Sequence, residues 1–398
     1  MNVLYLHPAA AFGGASKSLI ELYTLLHQEG VRGTVLTPEG VVCQSFSDAG
    51  MQVHAVRGLS QFDNTRYGYY RKIRWIIPLR ELFLLPYSLL GLWRLRQRSF
   101  DLIHINEITL LPLGLLARRL FKVPLVVHVR SLQRKPGEGR RTRWVNEMLR
   151  RYADAVVPID HTVAGTLDTT LSLNVIHNGL KLSEPLPKTV EKSDDDVVSV
   201  GFLGGLIPLK GIFELVESMR ILKQRGVRIQ CLVAGENARE LSGLKAWILG
   251  KFGFARDVRS ELEAIIEREQ LADHVKLLGF VGDVRSLYPK LDILCFPTHL
   301  DAAGRPVFEA AFYSVPSVVA VANPVPDALL HEVTGLAVPT PAPELIADAL
   351  QRMAQAPQWR RELGRRAQAW AQENFSIEAN AALMLELYRR IHSSRTRP

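Results

Sequence analysis

The sequence predicts an α/β protein built from two doubly wound parallel-sheet domains, and three observations lead there. Short apolar runs of the kind buried on both faces of a sheet alternate with helix-period segments along most of the chain. Its 398 residues, 47% hydrophobic and 22% charged, are ordinary globular material in an amount that suits two cores better than one. A charged, proline-containing stretch without periodicity, LKLSEPLPKTVEKSDDD, divides the alternation into two series. These place a first domain over residues 1–180, a linker over 181–196, a second domain over 197–376 and a last helix over 377–398. Strands joined by crossover helices pair in parallel and bind ligands beyond their carboxyl ends, so functional residues are sought there.

In the first series, residues 2–6 form an apolar strand. Gly13 and Gly14 follow, ahead of a helix with Leu19, Leu22, Leu25 and Leu26 on one face. The glycine pair lacks the G-x-G-x-x-G spacing of a dinucleotide site and on its own reads as a tight turn. Further strands are predicted at 33–37, 52–56, 101–106, 125–130, 155–159 and 174–176. His104 and Arg130 stand at the carboxyl ends of two of them, where a ligand would be met. His128 shares a strand face with Arg130, and one of the two reads as a satisfied buried or rim residue. Asn178 and Gly179 form the turn that closes the domain.

The formal net charge of +9 is concentrated in this half. Arg57, Arg66, Arg71, Lys72, Arg74, Arg80, Arg94, Arg96 and Arg98 are opposed within one segment only by Asp63 and Glu81, and a second basic cluster lies between Arg118 and Arg151. Such an excess attracts a membrane surface, a nucleic acid or a polyanionic acceptor. From Arg66 to Arg98 the chain is also apolar and aromatic, but Pro78, Arg80, Glu81 and Pro86 leave no run of about twenty apolar residues to span a bilayer. The segment suits lying in an anionic membrane interface, with Trp75, Tyr87 and Trp93 at headgroup level, or packing as an ordinary core helix. The basic residues flank it without forming a recognised nucleic-acid module, so no nucleic-acid partner is expected.

The second series opens with VVSVGFLGGLIPLKGIFELVESMRILKQRG, a strand, glycine-rich loop and helix. RIQCLVAG, VKLLGF, LDILCFP, SVVAV and GLAVP are further strands of the buried parallel type. Residues 240–254 read as a loop insertion, and polar-faced helices fill the chain from Pro343 onward. Cys43, Cys231 and Cys295 have no metal-ligand spacing; the latter two fall in strands and read as buried thiols in a reducing compartment. The start MNVLYLHPAA has neither a basic n-region nor a long apolar core, which leads us to expect a cytoplasmic protein.

The most informative stretch is CFPTHLDAAGRPVFEAAFYSVPSVVAV, residues 295–321. An apolar strand ends near Pro297, a polar loop with Gly304 follows, and a short helix begins with Pro306 at its first position, where a missing N–H costs nothing. Free N–H groups at the helix start, from Arg305 through Val307 to Phe308, favour a phosphate, and Arg305 adds a fixed charge. Asp301 in the loop and Glu309 in the first helical turn, eight positions apart, would meet the two ends of one bound molecule. Each acid alone also reads as an ordinary Asx-turn or capping residue.

The run PTHLDAAGRPVFEAAFYSVPSV resembles the PSxxEGFGxxxxEAxxxGxPV signature of the retaining glycosyltransferases of family 4, with Asp301 for the first glutamate and Ser314 for a glycine. GFLGGLIPLKGI resembles that family's GRLxxxKG loop; Lys210 matches the lysine, and Gly205 stands where arginine is usual. LLGFVGDVRSLYPKLD, VPDALL with Pro326 and Asp327, and VTGLAVP with Gly335 match later motifs, and DLIHINE keeps His104 of a frequent His-x-His. The resemblance covers nearly the whole chain, most closely over 197–340. It implies the GT-B architecture, two Rossmann-like domains facing a central cleft, with the last helix packed back on the first.

By resemblance, Glu309 holds the ribose hydroxyls of a nucleotide diphosphate sugar and Asp301 the sugar's own hydroxyls. Lys210 neutralises the leaving diphosphate together with Arg305 and the helix start at Pro306 and Val307. Gly279, Phe280 and Val281 lie against the base, while Gly13 and Gly14 approach sugar and diphosphate from the other side, with His104 and Arg130 at the same site. Gly205 removes one of two usual cations; either Arg305, Arg130 or another side chain supplies that charge, or the activity is weaker or altered. The implied reaction transfers a sugar to a hydroxyl with retention and without a metal or other cofactor, since no Asp-x-Asp pair stands in a suitable loop. The basic first domain favours a lipid-linked or envelope-polysaccharide acceptor, hence a protein peripheral on the inner face of the cell membrane. Two readings stay open beside this one: a nucleotide-sugar epimerase or phosphorylase of the same fold, and a non-catalytic nucleotide-sugar-binding membrane scaffold in which Gly205 and Asp301 mark lost activity.

Overall fold

The computed structural model describes the chain except for residues 67, 69–76, 181–195, 238–256, 301 and 397–398. Trp75, Asp301, the insertion at 240–254 and all of the linker but Asp196 therefore lie outside the described residues. The chain divides into two compact units, Met1–Lys181 with Phe375–Pro398, and Leu182–Asn374.

The first unit runs β1 (Asn2–Leu6), α1 (Gly14–Gln28), β2 (Arg32–Pro38), α2 (Val42–Asp48), β3 (Gln52–Val56), α3 (Ile77–Arg94), β4 (Leu102–Ile105), α4 (Leu111–Phe121), β5 (Leu125–Val129), α5 (Gly139–Tyr152), β6 (Ala155–Pro158) and α6 (His161–Ala164). Its strands pair in parallel in the order β3-β2-β1-β4-β5-β6. Alternation along β1 creates two apolar layers. Val3 and Tyr5 pack with Leu19, Leu22 and Leu26 of α1, whereas Leu4 and Leu6 pack with Leu92 of α3 and Leu113 of α4. The segment 174–176, expected as a strand, forms none: Asn174 N–H bonds to Val156 O and Ile176 N–H to Pro158 O, and β6 ends there, leaving no partners for a ladder.

The second unit runs β7 (Val198–Leu203), α7 (Ile212–Gln224), β8 (Ile229–Ala234), α8 (Val258–Arg268), β9 (Val275–Gly279), β10 (Ile293–Phe296), α9 (Arg305–Phe312), β11 (Ser317–Ala320), β12 (Gly335–Val338), α10 (Pro343–Gln355) and α11 (Pro357–Phe375). Its parallel order is β12-β11-β10-β7-β8-β9. Val200, Phe202, Ile293 and Cys295 of the central strands share one core with Leu215 and Met219 of α7 and Leu350 of α10. The last helix, α12 (Ile377–Thr396), belongs to the first unit, where Met384, Leu387 and Tyr388 join the leucines of α1. In each sheet strand addition reverses between two central neighbours, β1 and β4 or β7 and β10. Loops splay apart beyond such a switch point and leave room for a ligand.

Candidate functional site

At the switch point of the second unit, β7 leaves the sheet through Gly204 and Gly205. Gly204 has φ +144°, and a Cβ added there would lie 2.8 Å from Lys210 Nζ, so the ammonium rests against the loop backbone. A 3₁₀ turn, Pro208–Lys210, and Gly211 at φ +76° then start α7. A Cβ on Gly211 would fall 1.7 Å from Pro297 O, so only glycine lets this loop touch the end of β10. His299 N–H bonds to Leu209 O at 2.9 Å, and His299 Nε2 meets Glu214 Oε1 at 2.8 Å. The lysine loop and the loop after β10 are thus tied together at neighbouring strand ends. Lys210 is half-buried, burial lowers its pKa, and among the described residues no carboxylate offsets its charge. A partly desolvated ammonium without a carboxylate partner is an anion receptor.

The loop after β10 feeds α9. Gly304 caps the helix in extended conformation without a side-chain bond, and a Cβ on it would lie 2.4 Å from the Phe296 ring. Because that cap starts the helix at Arg305, Pro306 occupies the second helical position, not the first, and Glu309 the fifth, beyond the first turn. Val307 N–H is bonded to Gly304 O at 2.9 Å and Pro306 has no N–H, so the helix start offers fewer free donors than expected. Glu309 is held at both oxygens: Arg305 Nε donates to Oε1 at 2.8 Å and the Tyr288 hydroxyl to Oε2 at 2.7 Å. Tyr288 is wholly buried and stacks on Tyr313 with ring centroids 5.2 Å apart. Burial, and then the charge of Glu309, hold its phenol well above the usual pKa, so it remains a donor.

A third edge is formed by Gly279, which ends β9 at φ +72°; its carbonyl is held by the bond from Gly235 N–H to Gly279 O at 2.9 Å. Arg259 and Glu236 pair at 2.7 Å beside it. Phe280 follows with 82% of its surface exposed, and Val281 is half-buried. Gly205 is unlike Gly211: a Cβ there meets nothing nearer than Glu236 O at 3.7 Å, so a side chain fits.

In the first unit, a Cβ on Gly13 or Gly14 at the start of α1 meets nothing within 4 Å, so packing does not demand either glycine. His104 is wholly buried, with Nδ1 at the Tyr388 hydroxyl of α12 and Nε2 3.2 Å from His128 Nδ1. It thus positions the sheet interior. Arg130 donates to Asn106 O and Oδ1 at 3.1 and 3.0 Å and to Asn178 Oδ1 at 2.6 Å. Asn106 in turn donates to His7 Nδ1 at 2.9 Å, and His7 Nε2 meets Ser16 Oγ at 3.1 Å. Burial, then Arg130, lowers His7 and His104 to about 3 and His128 well below its ordinary value. Burial pushes Glu107 up to about 7 despite bonds from Ile108 N–H and Ser131 Oγ. Sequence reasoning missed His7, Glu107 and Tyr288. Glu107 directly follows a strand and could have been marked by that place; Tyr288 stands in the mixed stretch DVRSLYPKLD, where nothing local marks it.

Two family models match the chain, glycosyl transferases group 1 over residues 186–370 and a glycosyl transferase 4-like domain over residues 13–172. A D-inositol 3-phosphate glycosyltransferase of Saccharomonospora viridis is 31% identical over 198 residues, 49% of this chain and 43% of that protein. The capsular polysaccharide biosynthesis glycosyltransferase CapM of Staphylococcus aureus is 23% identical over 48% of this chain and 46% of its own. The chain spans about half the length of the curated relatives it matches, 43% and 55% for the first two. Among solved structures, HepE of Anabaena with bound UDP has a TM-score of 0.75 at 20% identity, covering 98% of this chain and all of its own. Sucrose-phosphate synthase of Thermosynechococcus elongatus has a TM-score of 0.72 at 18% identity, covering 99% of each. With both halves matched and two six-stranded parallel sheets in place, the chain belongs to the glycosyltransferases of the family 4 type and has their GT-B fold.

Proposed function

We propose that this chain transfers a sugar from a nucleotide diphosphate sugar to a hydroxyl group, with retention at the anomeric carbon and without a metal. The observation that carries the reading is Lys210, half-buried, not offset by a carboxylate among the described residues, and laid against the Gly204 backbone beside the loop after β10. As the sugar–phosphate bond breaks, negative charge grows on the diphosphate and positive charge on the ring; a fixed cation at the former lowers the barrier. Glu309, oriented by Arg305 and Tyr288, receives the ribose hydroxyls, Asp301 the sugar, and Gly279, Phe280 and Val281 the base. The leaving phosphate takes the acceptor's proton on the same face.

HepE has been solved with UDP-glucose, which makes a uridine diphosphate sugar the first donor to test. One relative is named for capsular polysaccharide biosynthesis, which supports an envelope-polysaccharide acceptor, while the name of another, a D-inositol 3-phosphate glycosyltransferase, makes a phosphorylated polyol the second acceptor class to test. Replacing Lys210 by alanine tests the assignment. Lys210→Ala should leave the unliganded melting temperature within a degree or so, abolish stabilisation by the sugar nucleotide and cut turnover at least about tenfold, roughly 1.4 kcal/mol. Unchanged turnover refutes the role. Product analysis with donor alone separates transfer from epimerisation, which needs no acceptor.

A further inference from the structure

Helix α3 is amphipathic in the reverse sense. Leu79, Leu82, Phe83, Leu90 and Trp93 fall within roughly 100° of arc on one side of it, and they are 64, 65, 55, 40 and 55% exposed. The opposite side, which faces the first unit, carries the polar residues: Glu81 and Ser88 are buried there beside Gly91 and Leu92. Glu81 accepts from Gln61 N–H at 2.7 Å and Ser88 from Ser60 N–H at 2.8 Å, while a Cβ on Gly91 would touch Leu36 at 2.8 Å. The helix is therefore fixed through its inner side, by these bonds and by the packing of Leu92, and cannot turn its exposed apolar side inward without losing them. A face of this size exposed on a soluble surface marks an interaction site.

Its rim is basic. The Arg57 guanidinium lies 5.4 Å from the Phe83 ring and 5.6 Å from the Tyr87 ring, and Arg96 lies 3.6 Å from the Trp93 ring. Arg80 and Arg94 stand exposed on the helix, whose single acid, Glu81, is buried and paired with Arg80. No described helix is long and apolar enough to cross a membrane. Apolar residues in one plane, a tryptophan at the end and arginines around them match the boundary between acyl chains and anionic headgroups. We infer that α3 docks this chain on an anionic lipid surface, lying in its plane with Leu82, Phe83 and Trp93 inserted. This does not rest on the proposed transfer, because none of the residues assigned above to donor or acceptor binding lies on α3.

Co-sedimentation of the full chain with vesicles of phosphatidylcholine alone, and of phosphatidylcholine with phosphatidylglycerol, tests it at low and high salt. Binding should require the anionic lipid, and high salt should weaken it at least about tenfold. Leu82→Gln with Phe83→Gln, or Arg94→Glu with Arg96→Glu, should abolish it while melting temperature and sugar-nucleotide stabilisation stay unchanged. The inference is overturned by no binding at low salt, or by binding that both double variants retain. It is equally overturned if the wild type forms a dimer that Phe83→Gln dissociates and does not bind vesicles, since the face would then serve a second copy.

Discussion

The two units share one strand order and handle their polar groups in opposite ways. The first buries three histidines, His7, His104 and His128, with His104 and His128 bonded to each other and His7 to Asn106, and all three are held neutral. The second buries none of its histidines and instead keeps a charged lysine at the switch point. The difference teaches that strand-end position alone does not make a residue a ligand contact. A group whose partners are all internal, as at His104, maintains the sheet; a group whose charge is not met internally, as at Lys210, is available to a ligand.

The largest effect expected from this contrast is in acid. Histidines lowered in the folded state bind protons more readily when unfolded, so their contribution to stability is complete above about pH 6.5 and is lost as pH falls toward 3. Glu107 works the other way. Raised to about 7, it binds a proton in the folded state first, and its contribution falls as pH rises from about 4.5 to 7. The histidines outnumber the glutamate, so unfolding takes up protons between those limits and stability falls with pH, at ~1.4 kcal/mol per net proton per pH unit. Hydrogen exchange read by mass spectrometry should show β4 and β5 losing protection between pH 7 and 5 while β7 and β10 keep theirs. Equal loss in both sheets would remove the contrast.

Next in size is the carboxylate of the second unit. Glu309→Gln keeps the shape but gives Arg305 and Tyr288 an amide in place of a charge, and kcat/KM should fall at least about tenfold, with acid behaviour of the first unit unchanged. A variant of full activity would return Glu309 to the role of an ordinary helix acid. A gain is expected at Gly205, where a side chain fits and the GRLxxxKG motif that the loop resembles has arginine. Gly205→Arg should lower the donor KM several-fold, on the order of 1 kcal/mol, by adding a second cation beside Lys210. A rise in KM would mean that this loop receives something other than a diphosphate.

The strands of both sheets were legible because burial on both faces turns them into continuous apolar runs, as in VVSVGFL and LDILCFP. The glycine of the lysine loop was legible too, through its motif. What escaped depends on contacts distant in sequence. Nothing near Tyr288 announces a bond to Glu309, 21 positions on. His104 lies at a strand end in sequence yet under α12 in space, 284 positions away. The start of α9 was misplaced by one residue because Pro306 tolerates either of the first two helical positions, and the extended backbone of Gly304 decides between them.

The smallest effect concerns Ser314, where the signature that the stretch resembles has glycine. It has φ +59°, a region that costs a side chain about 1 kcal/mol. The reason is the end of α9: Ser314 N–H bonds to Ala311 O and Val315 N–H to Ala310 O, both at 3.0 Å, which is the paired closure that requires a left-handed residue after the cap. The backbone cannot relax elsewhere, since a Cβ on Gly364 would already fall 2.0 Å from Ser314 O. Ser314→Gly should therefore stabilise the second unit by about 0.5–1 kcal/mol, a rise of roughly 2–3 °C in its melting temperature, without altering turnover. Ser314→Val should lower it by more than that. If glycine instead destabilised the unit, the serine hydroxyl would have to contribute a bond worth more than the strain, and its place in the signature would be structural in a way that glycine cannot reproduce.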